Sequence, residues 1–241
     1  MIVEICANSY QSAINAERAG AHRIELCSEL AVGGITPSYG LLKKVIAALS
    51  IPVYVLIRPR SGDFTYSNDE FQIMKENIIL CKELGCAGIV SGVLHADNTI
   101  DLLRTKELIE CSKPMCFTFH RAFDWVHKPL ESAHSLHQIG VDMVLSSGQE
   151  VSAEKGIKLL KKLQDKTSLR ILPGGGINTE NIHLFKKAGF SEIHLSASKQ
   201  IQTIDSPKVS MNSSKLFDEA KISYSDVATI QAILKILKDE E

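Results

Sequence analysis

Short apolar runs alternate with amphipathic stretches along the whole chain. Runs of strand length recur eight times, at residues 2–6, 22–27, 52–58, 87–92, 115–120, 142–146, 169–173 and 192–196. Between them, apolar residues recur at helical spacing over residues 9–19, 39–49, 67–84, 101–111, 129–139, 152–164 and 179–187. Successive strands begin about 27 residues apart on average, which is typical of a closed eight-stranded β/α barrel.

Local signals mark the ends of the predicted helices. Ser67 and Glu70 have the spacing of a capping box at the start of the third helix. In four places a glycine follows the predicted helix and precedes the next strand, as glycines that end helices do. These are Gly20, Gly85, Gly140 and Gly189. An eighth helix is predicted over about residues 225–238, where apolar residues again follow helical spacing.

The order of the elements predicts an α/β fold, a single (β/α)₈ TIM barrel over residues 1–241 with a C-terminal extension after strand eight. The polar residues 198–224 are too many for an ordinary loop, and we expect them to lie over the carboxyl ends of the strands. A doubly wound open sheet is the rival fold. Residues 6–9, the first turn, lack the glycine fingerprint of that fold.

Composition narrows the class of protein. The chain has 27 basic and 28 acidic residues and a net charge of −1, so neither nucleic acid nor a membrane is an expected partner. It has no secretory leader pattern and no apolar run near the ~20 residues that span a bilayer. With six cysteines in such a chain, we expect reduced thiols and a cytoplasmic protein.

Two copies of Glu-x-Cys end the first two strands, as Glu4 with Cys6 and Glu25 with Cys27. Residues two apart on a strand share a face, and neighbouring parallel strands lie ~4.8 Å apart, so we expect two carboxylates and two thiols close together. Two thiolates at matching points could bind a soft ion such as Cu(I). The alternatives are an acid–base site or thiols that pack as small apolar side chains.

A zinc site would need further ligands beside the two thiols, and only two histidines are placed to offer one. These are His120, at the end of strand five, and His194, in strand eight.

Charged residues at the other strand ends allow two interpretations. Glu4 and Glu25 inside a barrel need partners. The expected ones are Arg58 and Arg60, which stand two residues apart at the end of strand three and so on one face. Such pairs could form a buried structural layer. They could also combine a carboxylate base with arginines that bind an anionic substrate. His120, with Arg121 and Asp124 nearby, adds a proton carrier and a further anion ligand.

Backbone donors are predicted at the ends of strands six and seven. Gly174, Gly175 and Gly176 precede a predicted helix, and Ser147 with Gly148 follows strand six. Anion sites in barrels commonly use bare N–H groups of the late loops. The alternative is that the glycines only form the tight turn that Pro173 begins.

Several uncommon strings resemble the CutC family. They are IELC at 24–27, GGITPS at 33–38, IRPRSGDFTYS at 57–67, TFHRAFD at 118–124, SG at 147–148, LPGGGI at 172–177 and NSS at 212–214. The resemblance implies a cytoplasmic (β/α)₈ barrel with a role in copper homeostasis, and a homo-oligomer. It also implies that Cu(I) binds to Cys6 and Cys27.

Two functional hypotheses therefore stand side by side. One is copper(I) binding through Cys6 and Cys27, in a copper homeostasis protein. The other is a barrel enzyme, an isomerase, lyase or hydrolase, acting on a small phosphorylated or carboxylated substrate. Its candidate catalytic residues are Glu4, Glu25, His120 and Asp124. Its candidate anion ligands are Arg58, Arg60, Arg121, Ser147, Gly148, Gly174, Gly175 and Gly176.

Overall fold

Eight parallel strands form the central sheet of this computed structural model, which describes residues 1–212 and 214–239. They are β1 Ile2–Ala7, β2 Arg23–Leu26, β3 Val53–Leu56, β4 Gly88–Ser91, β5 Cys116–Phe119, β6 Met143–Ser146, β7 Arg170–Pro173 and β8 Glu192–Leu195. The sheet order is β7-β6-β5-β4-β3-β2-β1-β8, and a parallel bridge between Gly174 and His194 brings its two edges together. The predicted α/β barrel is therefore confirmed.

Helices alternate with these strands around the outside of the barrel. They are α1 Tyr10–Ala19, α2 Tyr39–Ala48, α3 Asn68–Glu83, α4 Leu102–Ser112, α5 Pro129–Gln138, α6 Ile157–Lys166, α7 Ile182–Lys187 and α8 Val227–Asp239. Short 3₁₀ turns follow β2 at Leu30–Val32 and β5 at Arg121–Trp125. Within the described part of the chain, no helix combines the length and apolar character needed to cross a bilayer.

Two of the predicted helix ends, at Ser67 and Gly20, are confirmed by individual hydrogen bonds. Ser67 N–H donates to Glu70 Oε2 at 2.7 Å, and Glu70 N–H donates to Ser67 Oγ at 3.1 Å, which forms the capping box of α3. Gly20 takes φ +94° and donates its N–H to α1 carbonyls. That backbone conformation is strained for a residue with a side chain, so glycine suits this helix end.

Apolar side chains form two separate layers. The larger layer fills the space between the strands and the surrounding helices. The smaller layer lies inside the barrel and comprises Cys6, Cys27, Tyr54, Leu56, Val90 and Met143. The barrel interior therefore has few apolar residues, and charged side chains fill much of the remainder.

The segment after β8 contains more order than its polar composition predicts. Strands β9 Ser198–Gln202 and β10 Lys221–Ser225 form an antiparallel hairpin. Helix α1 holds the hairpin, since Asn15 Nδ2 donates to the Ser225 carbonyl at 2.8 Å and Ser225 N–H donates to Ser12 Oγ at 3.0 Å. Ser213, in the predicted NSS string, lies outside the described residues.

Candidate metal and anion site

A cavity of about 1310 Å³ opens at the carboxyl ends of the barrel strands, under the β9–β10 hairpin. Several predicted site residues line it: Cys6, Glu25, Cys27, Arg58, His120, Arg121, Asp124, Gly175 and Gly176. Five others do not: Glu4, Arg60, Ser147, Gly148 and Gly174. His194, which sequence analysis named only as a zinc ligand, also lines the cavity.

The thiol groups of Cys6 and Cys27 lie close together, although the register of their two strands differs from the expected one. Cys6 lies opposite Glu25 in the β1–β2 register, so Cys27 stands two residues beyond the matching point. Strands in a barrel are tilted and staggered, and equal positions in two motifs need not be level. The Sγ atoms of Cys6 and Cys27 are nevertheless 3.7 Å apart. The hydrogen bond with Cys27, together with burial, raises the pKa of the Cys6 thiol well above its usual value.

His194 lies between the two glutamates of the repeated motif. Its Nδ1 is 2.7 Å from Glu4 Oε1, and its Nε2 is 3.4 Å from Glu25 Oε2. Cys6, Glu25 and His194 offer ligand atoms that all lie within 4.8 Å of one another. These three side chains are buried, and a cation is one species that such a cluster could accommodate.

The buried environment changes the acidity of these groups in different directions. Burial raises the pKa of Glu25 to about 7, against the opposing charge of His194. Burial alone would raise the pKa of Glu4 and lower that of His194. For Glu4, the hydrogen bond with His194 and the charge of Arg23 reverse the effect of burial and lower the pKa. For His194, hydrogen bonds with Cys6 and Glu4 and the charge of Glu25 reverse it and raise the pKa.

The carboxylate of Glu4 belongs to a buried ion-pair layer beneath the cavity. Arg23 contacts Glu4 and also places Nη2 2.7 Å from Glu192 Oε2, while Arg170 Nη1 lies 3.1 Å from Glu192 Oε1. The expectation that Arg58 and Arg60 pair with the glutamates is therefore wrong. Alternation along β2 could have identified Arg23, because it shares a strand face with Glu25.

Arg58 is held by backbone carbonyls. Its Nη1 donates to Val32 O at 2.8 Å and Gly34 O at 2.9 Å, and its Nη2 donates to Gly62 O at 2.7 Å. The guanidinium also stacks on Phe64, with Cζ 5.0 Å from the ring centroid. No carboxylate lies within 4.0 Å of it in the parts of the chain described, so a buried positive charge stands at the cavity without an ionic partner.

Arg60 points away from the cavity. Its Nε donates to Glu70 Oε1 at 2.6 Å, and its Nη2 donates to Asp63 Oδ1 at 3.0 Å. The expectation that Arg58 and Arg60 share one face is wrong because β3 ends at Leu56. Side-chain alternation holds only within a strand, and the residues beyond Leu56 follow the loop.

Asp124 occupies the donor site predicted at the end of strand six. Its Oδ1 accepts from Ser146 Oγ at 2.5 Å, from Ser147 N–H at 3.1 Å and from Gln149 N–H at 3.2 Å. Its Oδ2 accepts from Arg121 Nε at 2.8 Å. The protein's own carboxylate therefore uses the Ser147 donor that sequence analysis assigned to an external anion.

Gly148 has a structural role. Its N–H donates to Ser146 Oγ at 2.8 Å, and a Cβ at this position would lie 2.3 Å from the Gly156 carbonyl oxygen. Helix α6 begins at Ile157 rather than at the predicted residue 152.

The glycine triplet after β7 divides into two parts. Gly174 completes the barrel, since its N–H donates to Ser146 O at 2.9 Å. Gly175 and Gly176 turn the chain with φ +111° and +73° and reach the cavity. The N–H of Gly175 faces His194 in the bridge that closes the barrel, whereas among residues 1–212 and 214–239 no protein acceptor takes a hydrogen bond from the N–H of Gly176 or Ile177.

His120 stands across the mouth in its neutral form. Its Nδ1 accepts the Ala122 N–H at 3.2 Å, which places the ring proton on Nε2. Burial and the charge of Arg58 lower the pKa of His120 to about 3. Nε2 has no hydrogen-bond partner within the described ranges.

The chain is similar in sequence to proteins of one known family. The profile of the CutC family matches residues 1–199. The copper homeostasis protein cutC homolog of Mus musculus is 41% identical over 244 residues, covering 99% of this chain and 90% of that protein. A family protein CutC of Enterobacter sp. (strain 638) is 44% identical over 199 residues, covering 82% of this chain and 81% of that protein.

Solved structures agree with these sequence relatives. The crystal structure of the putative copper homeostasis protein CutC from Streptococcus agalactiae matches with TM-score 0.77 and 32% identity, over 81% of this chain and 98% of that one. A thiamine phosphate pyrophosphorylase from Pyrococcus furiosus shares the fold, with TM-score 0.61 and 13% identity over 99% and 96%. The family resemblance found in the sequence is thus confirmed: this chain belongs to the CutC family.

Proposed function

We propose that this chain binds Cu(I) as part of copper homeostasis, with Cys6 and Cys27 as thiolate ligands at the barrel mouth. The observation that carries the proposal is the pair of Sγ atoms 3.7 Å apart at the wall of an open cavity. The names of the Mus musculus and Streptococcus agalactiae relatives support the link to copper homeostasis. Soft thiolate ligands favour Cu(I).

The distance between the sulfurs favours a bent arrangement over a linear one. Two metal–sulfur bonds of about 2.3 Å that span 3.7 Å enclose an angle near that of a tetrahedral centre. An ion held in this way is open on one side, so a third protein ligand can complete its coordination.

His194 supports the proposal as a neighbour of Cys6: the two side chains belong to one cluster of candidate ligands, which includes Glu25 and not Cys27. A metal-binding histidine usually donates its second ring N–H to a carboxylate, which orients the ring. Glu4 Oε1 stands 2.7 Å from His194 Nδ1 and supplies such a partner, and Arg23 in turn contacts Glu4. The other nitrogen, Nε2, is then directed at the cluster with Cys6 and Glu25.

Anaerobic competition titration of the reduced protein with Cu(I) tests the proposal. We expect Cys6→Ser and Cys27→Ser each to weaken Cu(I) binding by about tenfold or more, since each removes a soft ligand. Cys111→Ser is the matched control, because Cys111 lies on α4 outside the cavity, and it should bind as the unmodified protein does. Unchanged affinity in both cavity variants would contradict the proposal.

The enzyme hypothesis stays a prediction. Of its four candidate catalytic residues, Glu25, His120 and Asp124 line the cavity, while Glu4 lies beneath it in the ion-pair layer.

A further inference from the structure

A second group of polar atoms lies on the cavity wall, in the segments that follow β5 and β7. Arg121 is fixed on one side, because Nε donates to Asp124 Oδ2 and Nη2 donates to Ser147 Oγ, each at 2.8 Å. Its Nη1 faces the glycine turn, 3.6 Å from where a Cβ of Gly175 would stand. Nη1 has no acceptor in the described part of the protein, and the side chain is 45% exposed.

The turn after β7 adds backbone donors beside this guanidinium. Gly176 and Ile177 follow Gly175 along the cavity wall, and the N–H of neither residue bonds to an acceptor within the described ranges. Successive N–H groups in a turn with positive φ form a concave site that attracts anions. A side chain at Gly175 would bring its Cβ to 3.3 Å from Ser147 Cβ, so glycine keeps this approach open.

Two buried side chains of the same cavity independently indicate an anionic occupant. Arg58 is 5% exposed and has no carboxylate within 4.0 Å among the residues described. His120 is 4% exposed and carries an Nε2 donor without a partner. A buried donor without an acceptor is unfavourable, and a buried charge without an opposite charge is more so. The cavity therefore favours a ligand that brings acceptors and negative charge.

We propose that Arg121 and the N–H groups of Gly176 and Ile177 bind the phosphate group of a small phosphate monoester. Phosphate suits this set better than a carboxylate, because its three terminal oxygens can accept from a guanidinium and several N–H groups together. The cavity of about 1310 Å³ has room for the organic part. This site does not share ligands with the thiol pair and stands whether or not a metal binds there.

Calorimetric titration of the reduced, metal-free full chain tests the site, with inorganic phosphate and glycerol 3-phosphate as probes. We expect both to bind. Arg121→Gln should weaken binding by about tenfold or more, the usual effect of losing a charge-assisted hydrogen bond. Arg60→Gln is the matched control, since Arg60 is similarly exposed at 36%, is also paired with a carboxylate and does not line the cavity.

Backbone amide NMR gives a readout that does not depend on a variant folding. Addition of glycerol 3-phosphate to the unmodified protein should shift the amide signals of Gly176 and Ile177 more than those of the Asp63 loop. Absence of binding by either probe, equal losses in the two arginine variants, or unmoved amide signals of Gly176 and Ile177 would overturn the proposal. None of these outcomes bears on Cu(I) binding, which is measured without the probes.

Discussion

Polar side chains at the barrel mouth differ in whether other groups of the protein supply their hydrogen-bond partners. Asp124 accepts hydrogen bonds on both carboxylate oxygens, whereas His120 keeps an unpartnered Nε2 within the described chain. Both residues lie in one short string after β5, and no pattern in that string distinguishes them. The difference arises because the β6 end supplies donors to Asp124, while Phe64, with its ring centroid 4.9 Å from that of His120, covers the histidine.

The buried neutral state of His120 makes stability depend on pH. Its pKa falls from 6.5 when unfolded to about 3 in the folded protein, so between these values the unfolded state alone binds the proton. Stability therefore falls as the pH drops below 6.5. Urea unfolding should show that the unmodified protein loses about 2 kcal/mol more than His120→Asn between pH 7 and pH 5.

The Asn variant keeps an acceptor for the Ala122 N–H, which limits other effects of the change. His134→Gln on the exposed face of α5 is the control, and it should lose as much stability as the unmodified protein. Equal pH dependence in His120→Asn and the unmodified protein would show that His120 is solvated or charged in the folded state.

At the scale of elements, the predictions from the sequence agree with the structure better for the strands than for the connections that follow them. The β6–α6 connection is the clearest case. A Cβ on Gly156 would stand 1.9 Å from the Ser147 carbonyl oxygen, so two backbone segments touch where the sequence shows only an ordinary glycine. This contact keeps Ser147 N–H in place for Asp124.

Substitution of this glycine should therefore be costly. We expect Gly156→Ala to lower the free energy of unfolding by about 2 kcal/mol or more, since the contact is with backbone and cannot relax cheaply. Gly40→Ala in α2 is the control, because no atom lies within 4 Å of its Cβ position. That variant should be neutral or stabilising by about 0.5–1 kcal/mol. Urea denaturation distinguishes the two, and equal effects would contradict the close approach.

At the scale of the whole molecule, the buried ion-pair layer joins four strands at the place where the barrel closes. Glu4 comes from β1, Arg23 from β2, Glu192 from β8 and Arg170 from β7. The layer lies directly beneath the cavity, and Glu4 connects it to His194. The position of the candidate metal ligand thus depends on barrel closure.

Removal of the central cation should destabilise the protein strongly. Arg23→Met leaves Glu4 and Glu192 buried without their shared partner, and we expect a loss of about 3–5 kcal/mol in urea unfolding. Arg170→Met is the control, since that side chain is 48% exposed, and its loss should be about 1 kcal/mol or less. Similar losses in the two variants would show that Arg23 is not the central partner of the layer.

The sequence by itself determined the eight strands, their order and the helix ends at Ser67 and Gly20, because apolar periodicity and caps act over a few residues. It also determined that Cys6, Glu25, Arg58 and His120 would reach the barrel mouth, since each stands at or near a strand end. Only the tertiary structure decided the register that pairs Glu4 with Arg23, the turn of Arg60 toward Glu70 and the internal binding of Asp124. Strand stagger and loop paths depend on closure of the whole barrel, which no local pattern encodes.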